Sequence, residues 1–166
     1  HRHDKVTSAL SDELLKWGPF QLIPEPTFYE YADGSKKRVD LTIATPGTTY
    51  AIDVSIPDPT AETYLKLGSA TLLGVAANDK AKHKYAKHAE AVKKFGHRFF
   101  AFIIESYGHT HPDVDRLLRE LSAYVSPLLR KQFVAAALDA VHVALQIGNA
   151  EMLAAAAKNQ RSNVAV

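Results

Sequence analysis

Two aspartates, Asp40 and Asp53, stand in short apolar stretches on either side of a turn, within RVDLTIATPGTTYAIDVSI (38–56). Side chains alternate along a strand, so Val39, Leu41 and Ile43 share one face, with Asp40, Thr42 and Ala44 on the other. On the next strand Tyr50, Ile52, Val54 and Ile56 oppose Ala51, Asp53 and Ser55. A hairpin symmetric about Pro46-Gly47 places Asp40 directly across from Asp53. Opposed residues bring their Cβ atoms to about 5 Å, where like charges destabilise the pair. Two readings remain open. A divalent cation compensates through hard oxygen ligands, or Lys36, Lys37 and Arg38 neutralise two exposed surface carboxylates.

A second group of residues bears on that choice. Lys80, Lys84, Lys87 and His88 recur at i, i+4, i+7 and i+8, so a helix there presents them on one face. A lysine aimed at two metal-holding carboxylates can polarise an attacking water or steady a pentavalent phosphorane, as metal-assisted phosphodiester hydrolysis requires. Residues 76–98 also hold Lys82, Lys93, Lys94 and Arg98 against only Asp79 and Glu90. With the 36–38 run, two basic segments flank the carboxylates and suit a polyanion. Taken alone, either run reads as a solvated face.

The elements that must position these residues follow from periodicity. Val6, Ala9, Leu10, Leu14 and Trp17 predict a helix over 4–17, with Asp4 as N-cap and Gly18 as its stop. Residues 20–31 predict an edge or broken strand because of Pro24 and Pro26. Strands are predicted at 38–44 and 49–56, then a connection over 57–75 with one helical turn. A helix over 76–95 carries an apolar stripe of Ala81, Tyr85, Ala89, Val92 and Phe95. The run HRFFAFIIES (97–106) is the most apolar and is expected to be a central strand. Helices are predicted at 112–124, 127–147 and 149–160, the last two separated at Gly148-Asn149. The order implies an α/β (α+β) domain with a mixed sheet flanked by helices. Residues 1–125 are expected to form its core and 126–166 a helical extension of the same domain.

Composition sets outer bounds. The 166 residues suit one domain, with 46% hydrophobic and 23% charged residues, a net charge of +2 and no cysteine, which excludes disulfides and thiolate zinc sites within this chain. No apolar run is expected to reach the roughly 18 residues that span a bilayer, and no membrane partner is expected. The chain opens at His1 with Met152 as its only methionine, so it is expected to be a piece of a longer polypeptide.

The ordered set resembles the PD-(D/E)xK, restriction-endonuclease-like nucleases. Val39-Asp40 stands for the PD element and Asp53-Val54-Ser55 for the tripeptide, with Ser55 where the lysine usually stands. That departure is similar to the restriction-like endonuclease domains of site-specific non-LTR retrotransposons, whose lysine is displaced onto the following helix beside a tyrosine. Here KRVD (37–40), NDKAKHKY (78–85), RHD (2–4) and FFAFIIESYG (99–108) carry the likeness. The resemblance implies a Mg²⁺- or Mn²⁺-dependent DNA endonuclease with Asp40, Asp53 and the Val54 carbonyl as metal ligands. Lys80, ahead of Lys84, is the implied catalytic lysine. It further implies a reverse-transcriptase parent polypeptide and a nuclear location. DNA is the implied partner, bound through Lys36, Lys37, Arg38, Lys82 and Lys87. His3, Asp4, Glu30 and Tyr85 are candidate accessory residues, and Glu25 is weighed with Glu30 as an added metal ligand. Two rivals stand beside this reading: a structure-selective nuclease similar to Holliday-junction resolvases, and a degenerate nuclease fold that only binds DNA or acts as a scaffold.

Other signals carry less. His1-x-His3 and His109-x-His111 lack a third ligand in the sequence, and His83 and His88 miss the i, i+4 spacing of a helical zinc pair.

Overall fold

The computed structural model describes residues 1–31, 33–35 and 38–164, with side chains as far as residue 160. Lys36 and Lys37 therefore lie outside the described residues. Four strands form one sheet in the order β1 (Gln21–Pro24), β2 (Leu41–Ala44), β3 (Thr49–Ser55) and β4 (Arg98–Ile103). β1 and β2 pair antiparallel, as do β2 and β3, and β3 runs parallel to β4. The helices are α1 (Arg2–Trp17), α2 (Glu62–Lys66), α3 (Val75–Lys94), α4 (Pro112–Ser122) and α5 (Arg130–Val164). The molecule is thus a mixed α/β domain, its four-stranded mixed sheet flanked by helices.

Alternation along the strands builds two cores. Leu41, Ile43, Tyr50, Ile52, Val54, Phe100 and Phe102 face one side, against Val6, Leu10 and Leu14 of α1, Val114 and Leu117 of α4, and Phe133 and Val141 of α5. Ala51, Phe99, Ala101 and Ile103 face the other side, against Ala77, Ala81, Ala91 and Val92 of α3. A strand buried on both faces reads as a continuous apolar run. That is why 97–106 suggests a central strand. The structure corrects the expectation: β4 is an edge strand, and β2 and β3 are central. Tyr85 of α3 donates to Asp113 of α4 at 2.5 Å, so the two helices meet beyond the exposed side of β4.

A parallel neighbour requires a crossover, and α3 supplies it between β3 and β4. Its start is pinned from the far end of the unit. The buried Glu105, just past β4, accepts the Ala77 backbone N–H at 2.9 Å. This satisfies one of the donors a helix leaves unpaired in its first turn and places negative charge at the positive end of the dipole. The residue before the helix, Gly74, has φ +79°, a left-handed conformation that glycine adopts without steric cost.

Two helical expectations also change. The first helix begins at Arg2 with His1 as N-cap, so Asp4 belongs to its first turn and does not cap it. The C-terminal region is one continuous helix through Gly148. A Cβ at Gly148 would stand 2.8 Å from Arg2 Cγ and 3.0 Å from Arg2 Cα, so this glycine permits close crossing of α1 and α5. Arg2 also donates to the Asn149 side-chain Oδ1 at 2.8 Å. Joining the two predicted helices has a further consequence. Pro127–Gln160 is long and apolar enough, by length and composition, to cross a membrane, which corrects the expectation that no segment reaches that length. Phe133, Ala137, Val141 and Leu145 of this helix are buried in the domain core.

Candidate functional site

The hairpin register is the symmetric one. Leu41 pairs with Ile52, Thr42 with Ala51, Ile43 with Tyr50 and Ala44 with Thr49. The ladder ends at Leu41. Asp40 lies outside β2, and its N–H donates to the Ile52 carbonyl at 3.0 Å, one residue off the symmetric register. The expected direct Asp40–Asp53 pairing is therefore not formed, and Val39 packs with Ala51 rather than with Leu41 and Ile43. The turn is held by Thr45, whose N–H donates to the Thr48 carbonyl at 2.9 Å and whose hydroxyl donates to the same oxygen at 2.6 Å.

Asp40 stands at the mouth of the sheet with 23% of its side chain exposed. Its Oδ2 accepts the Val54 N–H at 2.6 Å and lies 3.1 Å from His3 Nε2. The other ring nitrogen of His3 is 3.2 Å from Asp4 Oδ1, so the first turn of α1 delivers a carboxylate–imidazole pair to Asp40. The hydrogen bond to Asp40 pushes His3 up to about 9, so this imidazole is cationic at neutral pH. His3 in turn holds the Asp4 carboxyl below its ordinary range.

Asp53 is 3% exposed and faces α3. Its Oδ2 meets the ammonium of Lys84, and its Oδ1 lies 3.4 Å from Nε2 of the fully buried His88. Burial pushes the Asp53 carboxyl up; the Lys84 ammonium works against that rise and the neighbouring Asp40 charge adds to it. Lys84 and His88 lie four residues apart, one turn of α3, which is why both reach the same carboxylate. Each aspartate is therefore met by a histidine, and Asp53 by a lysine as well.

Backbone alternation settles where Val54 points. The Ser55 carbonyl accepts from Ile104 N–H on the β4 side at 3.1 Å. The N–H and C=O of Val54 consequently face the opposite side, where Asp40 stands. Among the described residues, no group of three or more His, Cys, Asp or Glu side chains could hold a metal ion. A Mg²⁺-type site does not need one. Such ions take one or two carboxylates, keep several waters and complete their shell with substrate phosphate. Asp40, Asp53 and the Val54 carbonyl are oxygen donors of that hard type.

The remaining sequence candidates fall in different places. The ammonium that meets Asp53 is that of Lys84; Lys80, one turn earlier and partly buried, forms no ion pair with either aspartate. Lys82 and Lys87 are exposed on α3, and the Lys87 charge still favours ionised Asp53. Arg38 pairs with Glu25 at 3.0 Å, both exposed. Glu25 lines a groove of about 450 Å³ that also exposes His3, Asp4 and Asp40 between α1 and β1. Glu30 is exposed. Tyr85 belongs to a separate cluster, receiving Arg116 at 3.1 Å and donating to Asp113.

Sequence reasoning missed one member of the site altogether. The Tyr31 hydroxyl bonds Nδ1 of His88, and that imidazole stacks on Phe99 with centroids 5.5 Å apart. Tyr31 lies in a segment without periodicity, so no sequence signal linked it to Asp53. For His88 a signal existed: Ala77, Ala81, His88 and Val92 keep helical spacing, which marks His88 as buried. No family model matches the chain, and no curated protein matches it.

Proposed function

We propose that this chain is a metal-dependent DNA endonuclease domain with a restriction-endonuclease-like core. The observation that carries the reading is the buried Lys84–Asp53 ion pair beside Asp40. A lysine delivered from a helix to the second of the two aspartates answers the absence of lysine at Ser55, as in the displaced-lysine branch described above.

In this reading Asp40, Asp53 and the Val54 carbonyl hold Mg²⁺ or Mn²⁺. When bound, the ion lowers the pKa of its water and offsets charge developing on the phosphoryl oxygens. The protein's own groups do the rest. His3 fixes the orientation of Asp40, and Val54 N–H holds the same carboxylate from the backbone. Lys84 is placed to orient the attacking water and to stabilise the phosphorane, a preorganised charge that needs no rearrangement during reaction. Lys82, Lys87 and Arg38 supply a basic surface for DNA phosphates. A reverse-transcriptase parent of the non-LTR retrotransposon kind, a cut that exposes a 3′-hydroxyl for priming, and a nuclear location belong to the same proposal.

The test is nicking of supercoiled plasmid by the purified chain with Mn²⁺. Wild type should produce open circles, whereas Asp40→Ala, or wild type in EDTA, should not. Absence of cutting under every divalent metal, with DNA still bound, would replace this reading with a DNA-binding relic of the fold.

A further inference from the structure

We propose that Tyr31 and His88 form a positioning relay for Asp53: the Tyr31 hydroxyl fixes the His88 ring so that its Nε2–H faces the Asp53 carboxylate. The inference rests on the metal-site reading for its functional consequence, but its geometry does not.

His88 is fully buried, stacked on Phe99 at 27° between planes, with Tyr31 edge-on at 76°. Two of its contacts are chemically unequal. Nε2 lies 3.4 Å from Asp53 Oδ1, and that carboxylate is ion-paired to Lys84, so it presents an acceptor. A lone pair on Nε2 would repel it, whereas an N–H is attracted. A neutral imidazole carries one N–H, so placing it on Nε2 leaves Nδ1 as the acceptor. The Tyr31 hydroxyl stands at Nδ1 and is a donor of the required kind. Burial pushes that phenol up to about 12, which keeps its proton in place. One hydroxyl thereby selects the tautomer, and the stacked ring transmits the choice to the carboxylate. Residues that orient a metal-holding carboxylate commonly change metal affinity without touching the metal.

Tyr31 also shows why the relay needs the tertiary structure. The Gly34 N–H donates to its carbonyl at 2.9 Å, and its own N–H donates to the Ser35 carbonyl at 3.3 Å. These bonds hold the Tyr31 backbone between β1 and β2, and its hydroxyl reaches His88 of α3.

Two measurements test the relay. Nitrogen NMR of the metal-free protein, labelled at histidine, reads the His88 tautomer in wild type and in Tyr31→Phe. Wild type should carry its proton on Nε2 alone, and Tyr31→Phe should populate both tautomers. A proton on Nδ1 in wild type overturns the proposal, and so does an unchanged tautomer in Tyr31→Phe. This readout decides the relay even if the protein never cuts DNA. Calorimetric titration of Mn²⁺ then reads its consequence. His88→Leu should weaken binding by about 10- to 100-fold, and His88→Gln, which restores an N–H donor, should recover most of it. Folded His88→Leu with wild-type Mn²⁺ affinity overturns the positioning role. Should His88→Leu fail to fold, Tyr31→Phe carries the same comparison with its ring volume intact.

Discussion

The backbone N–H of Val54 donates to the Asp40 carboxylate at 2.6 Å, tying the segment just before β2 to β3 where the ladder between the two strands ends. The two carboxylates are close enough there for the Asp40 charge to oppose ionisation of Asp53. The bond holds Asp40 by a neutral donor, which leaves the charge of the site to be balanced by His3, Lys84 and, in the proposed function, a metal ion.

The first prediction concerns that ion. Calorimetric titration of Mn²⁺ should show one site in wild type that is lost in Asp53→Ala and in Asp40→Ala. Isotherms that match wild type would make the aspartate pair structural.

Lys84 provides the second. Lys84→Ala should reduce nicking by on the order of 10²–10³, the cost typical of losing one preorganised electrostatic contact. DNA affinity should change little, because a charge used in the transition state lowers turnover rather than ground-state binding. Lys80→Ala should cost less than Lys84→Ala, since Lys84 is the lysine paired with Asp53. Nicking rates equal to wild type in Lys84→Ala would refute the displaced-lysine role.

The third follows from His3. Its folded pKa is raised from 6.5 to about 9 by the Asp40 contact. A cation with a raised pKa adds stability that is fully present below the unfolded value and lost as pH rises through the folded one. In EDTA, the urea midpoint of wild type should therefore fall between pH 6.5 and about 9 relative to His3→Gln. Parallel midpoints across that window would mean that the imidazole carries no charge in the folded state.

Packing at the helix crossing supplies the fourth. Alanine in place of a helical glycine ordinarily adds about 1 kcal/mol of stability. At Gly148 the new methyl would meet Arg2 backbone at 3.0 Å, and overpacking of this kind costs roughly 1–3 kcal/mol. Gly148→Ala should thus lower the chemical denaturation midpoint. A raised midpoint would show that α1 and α5 can separate without cost.

DNA binding gives the last. Affinity should fall linearly in log salt, and Lys82→Ala or Lys87→Ala should each reduce the slope by about 1. A flat salt dependence would remove this face of α3 as the DNA track.

The local information in the sequence was enough for the hairpin between Leu41 and Ile52, but not for residues 38–40, which leave the ladder and turn Val39 to the α3 side. Pro46-Gly47 and alternating apolar residues specify its register, because a slip of one position would turn the buried Ile43 and Ile52 toward the other face. The same logic places α3 within a residue at each end and puts Lys84 and His88 on one face. Other features depend on what packs against what. β4 lies at an edge although α3 and α4 cover both its faces, and that coverage makes its composition read like that of a central strand. Gly148 does not end a helix, because α1 crosses there and packing outweighs its weak propensity. Lys80 and Lys84 are equivalent by spacing; the position of α3, pinned by Glu105 at its start, decides which ammonium reaches Asp53. His3 and Tyr31 come to the aspartates from 37 residues before Asp40 and 57 before His88, respectively. Periodicity acts over a few residues, whereas such contacts exist only once helices have closed on both faces of the sheet.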